Sequence, residues 1–134
     1  MTKTANKFEN FNNAIKRLNE ANIAYRKNKD DNIYQDALIK RFEFTYELAW
    51  KTLREYLIES GYRLETVSPK GVFSYAYQEG ILDDENIWLD MLKSRNLTAH
   101  DYGQELSAEI ADHISTRYSK ALSLLGKYIS EHIK

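Results

Sequence analysis

RFEFTYELAWKTLREYL, residues 41–57, is the stretch whose reading decides the fold. Phe42, Thr45, Ala49, Leu53, Tyr56 and Leu57 recur at steps of three and four, the spacing that puts side chains on one face of an α-helix. The same register extends back through Leu38, Ala37 and Ile33, so the pattern predicts about seven turns from Ile33 to a stop at Gly61. Glycine is the usual residue where a helix ends in the left-handed region. Phe44, Tyr46 and Trp50 flank the main stripe, which calls for cover on more than one side. Such a helix either sits at the centre of a bundle or also meets a second subunit.

Upstream, Phe8, Phe11, Ile15, Leu18, Asn22 and Tyr25 form a seam with one polar interruption, predicting a helix from about Lys7 to Arg26. The polar run at 27–32 is a loop, with Asp30 or Asp31 to cap the second helix. Downstream, Ser68-Pro69 reads as the cap and first position of a short helix ending at Gly80, with Val72, Phe73, Ala76 and Tyr77 buried. Asp83 or Asp84 caps the next helix, which buries Ile87, Trp88, Met91 and Leu92 and carries Arg95 near its end. A last helix is predicted from Gln104 to Ile133 on Leu106, Ile110, Ile114, Tyr118, Leu122, Leu125 and Ile129, with Asp101 and Gln104 spaced as a capping box. The expected fold is an all-α, antiparallel, up-and-down four-helix bundle with one short extra helix between the second and third long ones. Its length of 134 residues suits a single domain spanning 1–134.

The composition narrows the function. Nineteen Lys and Arg against twenty Asp and Glu leave a net charge of −1, so nucleic-acid binding would have to rest on a local patch. There is no cysteine, which removes disulfides and thiol chemistry and fits a reducing compartment. No apolar run reaches the ~20 residues of a membrane span, and the N-terminal residues lack a signal-peptide core. The expectation is a cytoplasmic protein with no membrane contact.

Chemistry-bearing residues gather in Arg95-Asn96-Leu97-Thr98-Ala99-His100-Asp101-Tyr102. In an unbroken helix five residues turn the side chain by about 500°, leaving Arg95 and His100 roughly 140° apart. The weak helix formers from Asn96 to Gly103 predict a break that would let His100 swing toward the side of Arg95. On the residues alone, Arg95 also fits a last-turn cation favoured by the helix dipole, His100 a loop residue and Tyr102 a staple. His113 and His132 read as boundary and chain-end residues, and the three histidines have no metal-ligand spacing. Glu47 and Lys51 form an i,i+4 pair, while Lys40, Arg41, Lys51 and Arg54 are the alternative basic surface for RNA or a partner.

RNLTAHDY has the form R-x4-H-x-Y, and with RFEFTYELAWKTLREYL and WLDMLKSRN it resembles the HEPN superfamily of HepT type, in its nucleotidyltransferase substrate-binding branch. The likeness covers nearly the whole chain. It implies a twofold homodimer working beside a small nucleotidyltransferase. It further implies a toxin that is a metal-independent endoribonuclease with Arg95 and His100 catalytic, Asn96 supporting them, and no cofactor or metal. The partner would silence it by transferring AMP to Tyr102. The alternative within the same resemblance is a non-catalytic substrate-binding subunit of a two-component nucleotidyltransferase. The residue types suit the first reading. Imidazole can accept or return a proton near neutral pH, and a guanidinium fork can hold two phosphate oxygens. One chain has a single motif histidine, so a cleft across a twofold axis would supply two of each.

Overall fold

The computed structural model describes residues 2–65, 67–100 and 103–133 and is built from helices alone over those residues. Helix α1 (Lys3–Lys27) and helix α2 (Asn32–Glu59) form a long antiparallel hairpin. Helix α3 (Pro69–Gln78) is the short insert, and helix α4 (Glu85–Thr98) carries the motif arginine. The last long helix divides into α5 (Gln104–His113), one π-helical turn (Ile114–Tyr118) and α6 (Ser119–His132). No helix among the described residues is long and apolar enough to cross a membrane.

The caps follow local chemistry. Asp31 accepts from the amide of Ile33, Asp84 from that of Asn86, and Ser68 from that of Gly71 ahead of Pro69. Gly61 and Gly80 take positive φ of 89° and 78°, so each helix end turns back on itself; Tyr62 donates to the Leu57 carbonyl and Ile81 to that of Ala76. Helix α1 starts four residues before the expected Lys7. Thr2 caps it by accepting from Ala5, and Glu59 at the far end of α2 accepts from the amide of Thr4. A carboxylate from another helix thus meets the positive end of the α1 dipole.

Helix α2 is the central element, in contact with α1, α3, α4, α5 and α6. From α2, the Thr45 hydroxyl is shared between the Arg41 carbonyl at 2.7 Å and the Ala14 carbonyl at 3.3 Å, and Thr52 donates to the Lys7 carbonyl, so both buried threonines are paired and two of these bonds reach across to α1. A run of aromatic rings crosses the core: Tyr118 on Phe42 (5.5 Å), Phe42 on Tyr46 (6.0 Å), Tyr46 on Phe73 (5.9 Å) and Phe73 on Trp88 (5.0 Å). The run ties the last long helix, α2, α3 and α4 together and sets where α4 lies.

Three expectations about burial are corrected. Ile33 and Ala37 are exposed, because they lie on the outer side of α2, away from Gln35, Leu38 and Ile39, which are buried. Tyr77 is also exposed, since Val72, Phe73 and Ala76 already fill the inner face of so short a helix. The polar interruption at Asn22 faces the π-turn, where the Ser115 carbonyl takes donors from α1 as well as the Ser119 hydroxyl of its own helix. Arg26 donates to that carbonyl at 2.8 Å and Asn22 at 3.3 Å, while Arg26 Nε donates to the Ser115 hydroxyl at 2.9 Å.

Candidate active site

The motif lies where α4 ends. Thr98 donates from its hydroxyl to the Arg95 carbonyl and the amide of His100 bonds that of Leu97, so the helix closes with a tightened turn. Two contacts pin the chain as it restarts. Gln104 donates to Asn32 Oδ1, and Gln35 donates to the Ser107 hydroxyl, both at 2.8 Å. The N-cap of α5 is Gly103, with no side-chain bond; the expected Asp101–Gln104 capping box involves Asp101, which lies outside the described residues. Asp101 and Tyr102 lie outside the described residues, and with them the expected AMP acceptor.

Arg95 turns toward α2. Its Nη1 is 3.3 Å from Glu43 Oε2 and its Nε 3.9 Å from Glu47 Oε1. Glu47 also receives the indole N–H of Trp50 at 3.2 Å and stands 3.8 Å from the Lys51 ammonium, so the anticipated Glu47–Lys51 pair is part of a larger network. Two carboxylates thus balance two cations. The Arg95 side chain is 26% exposed and that of Glu43 21%, so solvent screening is reduced but not removed. Beneath them the Tyr46 hydroxyl and Arg95 Nε are buried without a hydrogen-bond partner. Burial raises the Tyr46 pKa far above the ordinary tyrosine range; the negative Glu47 adds to this and Arg95 opposes it.

His100 faces a different region. With Asn96 and Lys93 of α4 and Lys70 of α3 it lines an open groove of about 490 Å³, floored by leucines that include Leu89 and Leu97. Leu89, Lys93 and Asn96 follow steps of four and three, a single stripe on α4, and His100, just past the helix end, lines the same groove. The turn after Thr98 therefore carries His100 onto the side of Asn96 and not, within one chain, onto the side of Arg95. Asn96, Lys93, Lys70 and His100 are all exposed. Glu43, Tyr46 and Trp50 were not singled out as site residues from the sequence. The signal was there in the i,i+4 pair Glu43 and Glu47, two acids on one flank of α2.

A helical bundle whose last helices are interrupted after Thr98 is the architecture that the resemblance to the HEPN superfamily implies. The chain belongs to the family described as nucleotidyltransferase substrate binding protein like, whose model matches residues 6–131. It is 31% identical over 80 residues to the Haemophilus influenzae protein named "Probable ribonuclease HepT"; that match spans 54% of this chain and about half of the relative, 55%. A crystal structure of a Thermus thermophilus protein superposes with a TM-score of 0.77 at 31% identity, covering 89% of this chain and 98% of that one. A tri-AMPylated Shewanella oneidensis HEPN toxin, solved in complex with MNT antitoxin, superposes with a TM-score of 0.75 over 98% of this chain and 100% of that one. At 20% identity, that last likeness speaks for the fold alone.

Proposed function

We propose that the chain is the toxin of a HEPN–nucleotidyltransferase toxin–antitoxin pair and acts as a metal-independent endoribonuclease at a site shared between two protomers. The observation that carries this reading is the division of the motif. His100 and Asn96 open onto a groove, whereas Arg95 stands on the neighbouring face of α4, held by Glu43 and Glu47. A second copy related by a twofold axis would bring its own Arg95 and His100 to the same cleft. One imidazole then takes the proton of the ribose 2′-OH, whose oxygen attacks phosphorus; the other gives a proton to the 5′ oxygen as its bond to phosphorus breaks. Arg95 stabilises the charge that develops on the phosphoryl oxygens. Asn96 donates to a phosphate oxygen or to His100.

In this reading the cognate nucleotidyltransferase is the antitoxin and transfers AMP to Tyr102, adding to the motif a bulky anion that competes with substrate phosphate. The homodimer, the RNA substrate and a cytoplasmic setting belong to the same proposal. The test is cleavage of RNA by the purified protein. Activity that persists in EDTA, disappears in His100→Ala and is blocked once mass spectrometry finds AMP on Tyr102 supports the assignment. Activity lost on chelation, or undiminished in His100→Ala, refutes it. The family's own description favours one other reading, a non-catalytic subunit that presents substrate to the nucleotidyltransferase. A dimer that binds the nucleotidyltransferase but neither cleaves RNA nor arrests growth identifies that case.

A further inference from the structure

Positive charge near the motif is not where the motif puts it. Arg95 and Lys51 are answered by Glu43 and Glu47, so this quartet offers little net attraction to an anion approaching from solution. Lys70 and Lys93 differ. Both are exposed, both line the groove that contains His100, and neither makes an ion pair with any described residue. They come from separate helices, α3 and α4, and so stand on two borders of one depression.

The groove between them matches a particular ligand. Its lining includes the hydrocarbon of Leu89, Leu92 and Leu97, of which Leu97 is exposed, so the depression carries an apolar surface beside its polar groups. The border holds two ammonium groups, one amide and one imidazole. A flexible polyanion with flat apolar groups along it satisfies both surfaces at once: bases lie against the leucines while phosphates reach the lysines. A paired duplex cannot present its bases this way.

We propose that Lys70 and Lys93 are the backbone-binding residues of the His100 groove, gripping phosphates that flank the scissile one in single-stranded RNA. The inference rests on the ribonuclease reading above and adds a division of labour to it. The two lysines hold the strand in the ground state, while Arg95 acts on the phosphate that reacts. A lysine that only binds affects KM; a group that serves the transition state affects kcat.

The experiment uses the full chain and two probes. A short fluorescent 2′-O-methyl oligonucleotide, which cannot be cleaved, reports binding by anisotropy across a salt series, and the unmodified RNA of the same sequence reports cleavage. Lys70→Gln, Lys93→Gln and the double variant are compared with Lys16→Gln on α1 as a remote control. Each groove lysine should lower the slope of log affinity against log salt by about 0.7, the value for one phosphate on a single strand. The double variant should raise KM by about tenfold at low salt while kcat stays within about twofold. Wild-type slopes and KM in the double variant, with RNA still cleaved, overturn this inference alone. An equal change in Lys16→Gln overturns it as well, because it reports bulk charge. Dissociation of the dimer in the double variant overturns it in favour of a second copy filling the groove. A wild-type protein that neither binds nor cleaves either probe overturns the ribonuclease reading and this inference together.

Discussion

Two faces at the end of α4, marked by Arg95 and by His100 just beyond it, solve opposite problems. The face of Arg95 is closed: a guanidinium is held by Glu43 and Glu47, braced by Trp50 and Lys51, over a buried tyrosine. The face of His100 is open, with exposed polar groups over a leucine floor. The difference shows that a motif read along the chain need not be a site in one protomer. In the proposed reading the closed face would supply precision and the open face access, each protomer giving one to a shared cleft. His100→Ala tests the open face and carries the largest expected effect: a loss of about 10²–10⁴ in RNA cleavage, typical for a proton-transfer group, with an unchanged melting curve because the side chain is exposed. A melting temperature that falls with activity would turn His100 into a structural residue and remove the contrast.

What fixes both faces is the core beneath α4, so the next perturbation acts on them together. Phe73 is fully buried and bridges Tyr46 and Trp88. Phe73→Ala should cost about 3–5 kcal/mol of stability, measured by denaturant unfolding. At temperatures where the variant is still folded, loss of cleavage and of the Arg95–Glu43 pairing should go together. Cleavage that survives would mean α4 is positioned without the ring ladder. A narrower cut is Glu43→Gln, which keeps the shape and removes one charge from the closed face. It should lower kcat about tenfold with little change in KM, and Glu43→Asp should recover part of the loss, as for residues that orient a functional group. A rise in activity would instead mean that Glu43 restrains Arg95 rather than aligning it.

Most of the frame was legible because it is local. Asp31, Ser68-Pro69, Asp84, Gly61 and Gly80 mark helix ends through bonds to near neighbours, and the break after Thr98 follows from the weak helix formers there. The early start of α1 was only half legible: the Thr2 cap is a local signal, but the carboxylate that meets the helix end comes from Glu59, 55 residues away. The π-turn was equally hidden: its signature, a polar Asn22 and Arg26 serving one carbonyl, is split between the first and last long helices. The candidate site divides the same way. Arg95, Asn96 and His100 stand out as a motif, whereas the partners of Arg95 are known only once α2 and α4 are packed, because an acidic pair on a helix flank looks solvated until another helix brings it a cation.

The smallest expected effect concerns Tyr46, under the closed face. Its hydroxyl is buried with no hydrogen-bond partner, and burial raises its pKa, so the folded protein keeps the phenol protonated. The unfolded chain releases that proton above pH ~10. The sign follows: the contribution is complete below that pH and declines as pH rises, by up to about 1.4 kcal/mol per pH unit for one group at 25 °C. Burial also raises Tyr118, and Tyr128 is pushed up to about 12 by burial and by the neighbouring Tyr56, so stability should fall on an alkaline limb that several tyrosines share. Tyr46→Phe should remove one share. Equilibrium unfolding at successive pH values would then show a shallower limb above pH ~10, and near neutrality a stability equal to wild type or higher by up to about 1 kcal/mol, because the deleted hydroxyl was unpaired. A clear loss at neutral pH would show that the hydroxyl does bond the Arg95 cluster, and the closed face would then rest on Tyr46 as well as on its two carboxylates.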